Sequence, residues 1–268
     1  MKKPTLMALA LALVLAGLYF ALPYLKNRPA IPEPAEPPKV VEKVPVPEKP
    51  PIIHPIPQAP VVKPETPARP LPSLDDSDEA VREEMSSIFP RQNPAKVFIL
   101  DHFIRRLVLA IDSLPRKQLP ADRLPSKPAP AAFIVEGPEG QEIISRDNYQ
   151  RYKPFMAFVE AMDSEQAVDL YVRFYPLFQQ AYRDMGYPRG YFNDRLIEVI
   201  DHLLATPEVE EPVRVIRHVV RYRFASPELE ALSAGRKILI RIGPDNAATV
   251  KEKLRQIRAG ILSLTPQN

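Results

Sequence analysis

The chain contains no cysteine, and only eight of its 268 residues are glycine. Without a thiol there is no disulfide, no thiolate nucleophile, no Cys-based zinc site and no lipobox for lipoprotein processing. Histidine occurs only at His54, His102, His202 and His218, and no Gly-x-Ser-x-Gly turn is present, so serine hydrolase chemistry has few residues to draw on. A basic footprint for nucleic acid is missing too, although the pI is near 9.0. Residues 1–28 carry Lys2, Lys3, Lys26 and Arg28 with no acid, and residues 29–72 balance five bases against five acids. Of 36 basic and 33 acidic residues, this leaves 27 and 28 from residue 73 onward, a net of −1. The positive charge therefore belongs to the N-terminus, and no nucleic-acid partner is expected.

Proline is abundant, and it is concentrated: of 34 prolines, sixteen fall between Pro29 and Pro72. Three regions follow: 1–28 as tail and membrane anchor, 29–72 as an extended linker, and 73–268 as a globular domain. Thr5 to Leu22 is eighteen residues without a charge, enough to span a bilayer as a single helix. Cleavage as a signal peptide is disfavoured because Ala21 has Tyr19 at the −3 position. Lys2 and Lys3 place the N-terminus in the cytoplasm, which puts the domain on the periplasmic side of a bacterial inner membrane. The linker has no glycine, favours polyproline II and reaches on the order of 130 Å. It is expected to be a solvated spacer.

The domain reads as mainly α, with six or seven helices and a minor β-hairpin or strand pair. Helices are predicted over about 77–88 (with Asp76 and Glu79 as a capping box), 94–112, 145–162, 165–185, 193–205, a short one after Ser226-Pro227, and a last one capped by Asp245. Pro176 is expected to kink the fourth. Prolines 115, 120, 125, 128 and 130 require a loop, and GPEG lies between the apolar pairs of a hairpin. β-Branched residues predict one strand from Val213 to Phe224, while 238–242 is ambiguous between strand and helix.

The stretches NYQRYKPF, LYVRFYPLFQQAYRDMGYPRGYFNDRLIEVIDHLLATPEV and RFASPELEALSAGRKILIRIGPDNAATVKEKLRQIR, with LPSLDDSD and FIRRLVLAIDSLPR before them, resemble a proteobacterial family called domain of unknown function 3014. The resemblance covers nearly all of residues 71–260. It implies an envelope protein with one membrane helix, and it transfers no catalytic residue to any position here. The segment 210–220 is shorter than the family pattern between LLATPEV and RYRF. The anchor and Glu-Pro/Lys-Pro arm also resemble the energy transducer TonB, in composition only.

Candidate sites are few, and no cofactor or metal is implied. Asp194, Glu198, Asp201 and His202 make one stripe along a helix, which in an enzyme would position an acid and a base. With Leu196, Ile200, Leu203 and Leu204 opposite, the stripe reads more simply as a hydrated face. The segment Gly186 to Phe192 is more distinctive. Tyr187, Arg189 and Tyr191, with Gln179 and Gln180 on the preceding helix, combine rings with amides and suit sugar or peptide recognition by an envelope protein or cell-wall polymer; the same rings would otherwise plug the core. Arg217, Arg221 and Arg223 on the strand, and Lys251, Arg255 and Arg258 on the last helix, are expected to pair with the domain's own acids. The function expected is that of a membrane-anchored, non-catalytic binding or scaffold protein. The alternatives are a cell-wall-modifying enzyme using the central carboxylates, or a TonB-like transducer.

Overall fold

The computed structural model describes residues 51–56, 70–219 and 221–264. The expected membrane helix at 5–22 lies outside them, and no helix among the described residues is long and apolar enough to cross a membrane. The described chain is mainly helical, with nine α-helices and two small antiparallel strand pairs. The helices are α1 (Ser77–Ile88), α2 (Phe103–Ser113), α3 (Asp147–Gln150), α4 (Lys153–Ala161), α5 (Ser164–Asp184), α6 (Phe192–Leu204), α7 (Pro227–Glu230), α8 (Ala234–Arg241) and α9 (Pro244–Ser263). The strands are β1 (Val135–Glu136), β2 (Ile143–Ile144), β3 (Val215–His218) and β4 (Arg221–Phe224).

The core is built around α5, which packs against α2, α6 and α9. Asp163 caps it by accepting from the Gln166 amide at 2.9 Å. Its buried residues Ala167, Tyr171, Phe174, Phe178 and Ala181 recur every three or four positions, so one face enters the core along its whole length. The helix continues through Pro176. On α9 the expected Val250, Leu254, Ile257 and Ile261 are the buried residues. At its start, Gly243 has φ +93, and a Cβ there would lie 2.6 Å from the Tyr149 ring, so both backbone and space require glycine.

Four local expectations change. The helix predicted over 145–162 is two, because Pro154 has no N–H for the carbonyl one turn back and instead sits in the first turn of α4. The helix predicted from Pro94 is a 3-10 turn, Pro94–Lys96, followed by extended chain. There Ile99 donates to Pro125 O at 2.8 Å and Lys127 to Val97 O at 2.8 Å, which fastens the proline-rich loop to the body. Asp76 makes no capping bond; instead Asp78 reaches across to the start of α2 and accepts from the His102 and Phe103 amides at 2.7 and 3.2 Å. The ambiguous 238–242 is helical, because Ser233 caps α8 by accepting from the Arg236 amide at 3.3 Å.

The strand predicted over Val213–Phe224 is a hairpin, β3 and β4 separated by two residues. Its register pairs Val215 with Phe224, Ile216 with Arg223, Arg217 with Tyr222 and His218 with Arg221. The reversal changes the faces. Arg221 and Arg223 lie beside Ile216 and His218, and Arg217 lies on the other side with Tyr222. The hairpin predicted around GPEG forms, with Val135 opposite Ile144, and its β2 touches the start of β3 through an Ile143–Arg214 bridge. Ile144, Val213, Val215, Phe224 and Ile240 make a second small core beneath both pairs.

Candidate functional site

The turn from α5 into α6 is locked by groups pointing inward. The Gln179 side-chain oxygen accepts from Tyr175 OH and from the Phe192 amide, each at 2.9 Å, while its NH2 donates to Gly190 O at 2.9 Å. The Tyr187 ring stacks on Tyr182 at 4.6 Å, Phe192 stacks on Phe178 at 5.9 Å, and Tyr191 lies 5.5 Å from Tyr175. Gly190 is required by this packing, since a Cβ would sit 2.6 Å from the Tyr182 ring. Burial, with Asp112 nearby, pushes the Tyr182 hydroxyl up to about 12.

Beneath the turn, Asp112 is 2% exposed and gathers three partners. Arg195 donates Nε to Oδ1 at 2.9 Å and Nη2 to the Asp112 carbonyl at 2.9 Å, while Arg116 and Tyr187 OH both donate to Oδ2, the latter at 3.3 Å. Gln179 and Tyr187 therefore hold the turn, whereas Arg189 and Gln180 are exposed on its rim.

Tyr191 has a different task. It and the next residues of α6 grip residues 51–56 of the proline-rich arm. Asp194 accepts from the Ile53 amide at 3.0 Å and the His54 amide at 2.6 Å, Tyr191 OH accepts from the Ile56 amide at 2.8 Å, and Asn193 Nδ2 donates to His54 O at 2.8 Å. Asn193 is itself oriented by Tyr171, whose hydroxyl donates to Asn193 Oδ1 at 3.0 Å. The Ile56 side chain is buried and joins the main core, while Ile52 and Ile53 remain exposed. The contacts take hold of a main chain that bends at Ile53-His54, so that two successive amides meet one carboxylate, and of one aliphatic anchor. Asp194 stands in the first turn of α6, where the helix dipole favours a carboxylate.

Two expectations are thereby corrected. The arm is not a solvated spacer throughout, because 51–56 is docked. Asp194 does not belong to a hydrated stripe either; the stripe disperses into separate contacts. Glu198 pairs with Arg195 at 2.8 Å, Asp201 with Arg258 at 2.6 Å, and His202 Nε2 lies 2.7 Å from Ser233 Oγ. Among the described residues no group of three or more acidic or histidine side chains is arranged to hold a metal.

Residues 103–258, more than half of the chain, match the family described as protein of unknown function DUF3014. The chain belongs to this family. The match begins at the first residue of α2 and ends within α9, so the DUF3014 region contains the whole α5–α6 turn and Asp194, while the docked arm segment lies outside it. No curated protein and no solved structure matches the chain.

His202 gives the site's surroundings a pH dependence. Burial, then the charges of Arg236 and Arg195, lower its pKa, so the folded state favours the neutral ring. The unfolded chain takes up this proton near pH 6.5, and stability present above that pH is lost as pH falls through the folded value. The urea midpoint is expected to drop between pH 7.5 and pH 5.5, and to drop less in His202→Gln. Equal drops in both proteins would remove His202 from the explanation.

Proposed function

We propose that this DUF3014 chain is a membrane-anchored, non-catalytic binding or scaffold protein. Residues 1–28 anchor it in the bacterial inner membrane with the N-terminus in the cytoplasm, 29–72 link, and 73–268 act on the periplasmic side. The partner-binding face is the α5–α6 turn, and the ligand class is a bent, proline-flanked aliphatic segment of an envelope protein.

The observation that carries this reading is the grip of Tyr191, Asn193 and Asp194 on the main chain of 53–56. Main-chain hydrogen bonds supply affinity for a peptide that can make the same bend, and a side-chain pocket adds selectivity. Prolines on either side lessen the entropy lost on binding. Arg189 and Gln180, exposed at the rim, would meet the flanks of such a segment.

The test is a full-length chain whose residues 51–56 are replaced by glycine and serine, titrated with a labelled peptide of residues 50–57. Saturable binding is expected, weakened about tenfold or more by Asp194→Ala, which removes an ionised acceptor of two amides. Absence of saturable binding would refute the groove. A reporter active only outside the cytoplasm, fused after Asn268, checks the topology separately.

A further inference from the structure

The β3–β4 hairpin concentrates positive charge that forms no ion pair with the rest of the described residues. Arg214, Arg217 and Arg223 are exposed, Arg221 is half-buried, and none of the four forms an ion pair among the described residues. The contrast with α9 is direct, since Arg255 and Arg258 pair with Glu252 and Asp201 as expected. Long apolar side chains accompany these arginines into solvent. Ile216, opposite Arg223, is 45% exposed, and Val219 at the end of β3 is 70% exposed with φ +56. A β-branched residue in the left-handed region is strained, and here it is strained in a position that withdraws nothing from water.

The base of the hairpin is firm. Val215 and Phe224 are buried in the second core, and Arg241 donates Nη2 to Tyr222 O at 2.9 Å with its guanidinium 4.9 Å from the Phe224 ring centroid. The tip is thus presented on a fixed support.

We propose that this hairpin is a membrane-contact element that docks on anionic lipid headgroups, its arginines on phosphates and Ile216 and Val219 at the acyl boundary. Arginine with exposed aliphatic side chains suits a bilayer interface better than a purely ionic polymer, which offers nothing to the aliphatic groups. The proposal rests on the anchor reading given above. Docking of 51–56 strengthens it, because only residues 29–50 then separate anchor from domain, a reach of about 70 Å at about 3.1 Å per residue.

The absence of native cysteine allows a unique label. Full-length Val219→Cys carrying an environment-sensitive fluorophore is reconstituted into vesicles of phosphatidylcholine, with or without phosphatidylglycerol, and retention is scored by alkaline extraction. A blue shift is expected only with phosphatidylglycerol. It should reverse between about 0.1 M and about 1 M salt, where the screening length falls from about 10 Å to about 3 Å. Arg221→Gln and Arg223→Gln, on the face of Ile216, should each weaken the lipid response about fivefold, with thermal unfolding unchanged, and Arg217→Gln, on the other face, should weaken it less. Emission independent of lipid charge in a retained chain overturns the hairpin proposal and leaves the anchor standing. A chain extracted from neutral vesicles overturns the anchor, and its retention or loss on anionic vesicles at low salt then decides the hairpin. An equal shift with a soluble polyanion and no vesicles assigns the patch to charged polymers and overturns the lipid assignment.

Discussion

Replacing Asp112 by alanine is expected to destabilise the protein by about 3 kcal/mol, measured by urea unfolding at pH 7. The carboxylate is 2% exposed and is the common acceptor for Arg195, Arg116 and Tyr187. Its removal strands positive charge in a poorly hydrated place, and that desolvation penalty exceeds the loss of any single hydrogen bond. The estimate sits at the low end of the usual 3–5 kcal/mol because Arg195 keeps its contact with Glu198, a residue whose side chain is 66% exposed. The mechanism has its own control. Asp112→Leu combined with Arg195→Met removes charge from both sides and should recover most of the loss, which a simple contact-deletion account does not predict. A change below about 1 kcal/mol in Asp112→Ala would show that solvent screens this cluster as it does a surface pair.

The same cluster shows why the α5–α6 turn was only partly legible in the sequence. Its glycines, rings and amides marked a special segment. Which groups point inward depends on Asp112, seventy-five residues before Tyr187 in the chain. Nothing in local spacing announces that partnership. The helices were readable where apolar period and caps agree, as in α5, α6 and α9. They depart from the prediction where tertiary pairing overrides local preference, as at 98–99, where bonds to the proline-rich loop hold the chain extended.

Between Val213 and Phe224 the β-branched run predicted strand correctly, but no glycine or asparagine marks the reversal, because Val219 adopts positive φ in their place. In the arm, Pro50 to Val62 is uncharged between Lys49 and Lys63 and holds Ile52, Ile53 and Ile56, whereas the rest of the arm alternates proline with glutamate and lysine. A spacer has no use for such a cluster of isoleucines. Composition averaged over 44 residues concealed it.

Phe192→Ala is expected to cost about 3–5 kcal/mol, and it links the core to the arm. The ring is fully buried at the first position of α6, stacked on Phe178 with an interplanar angle of 11° and within 5.5 Å of the Tyr182 ring. Truncation leaves a cavity that this rigid aromatic group cannot readily close, so transfer and cavity terms add. On either side of Phe192 stand Tyr191 and Asn193-Asp194, the residues that hold the arm. A loosened first turn of α6 should therefore speed hydrogen exchange at the Ile53, His54 and Ile56 amides in the folded molecules. Tyr191→Phe provides the comparison: it deletes the hydroxyl that accepts from the Ile56 amide and bonds with Tyr175, costs about 1 kcal/mol, and should speed exchange at Ile56 most. Were Phe192→Ala to lose its stability while all three amides stayed protected, the grip on the arm would not depend on how the core seats α6, and the groove would have to be rigid on its own account.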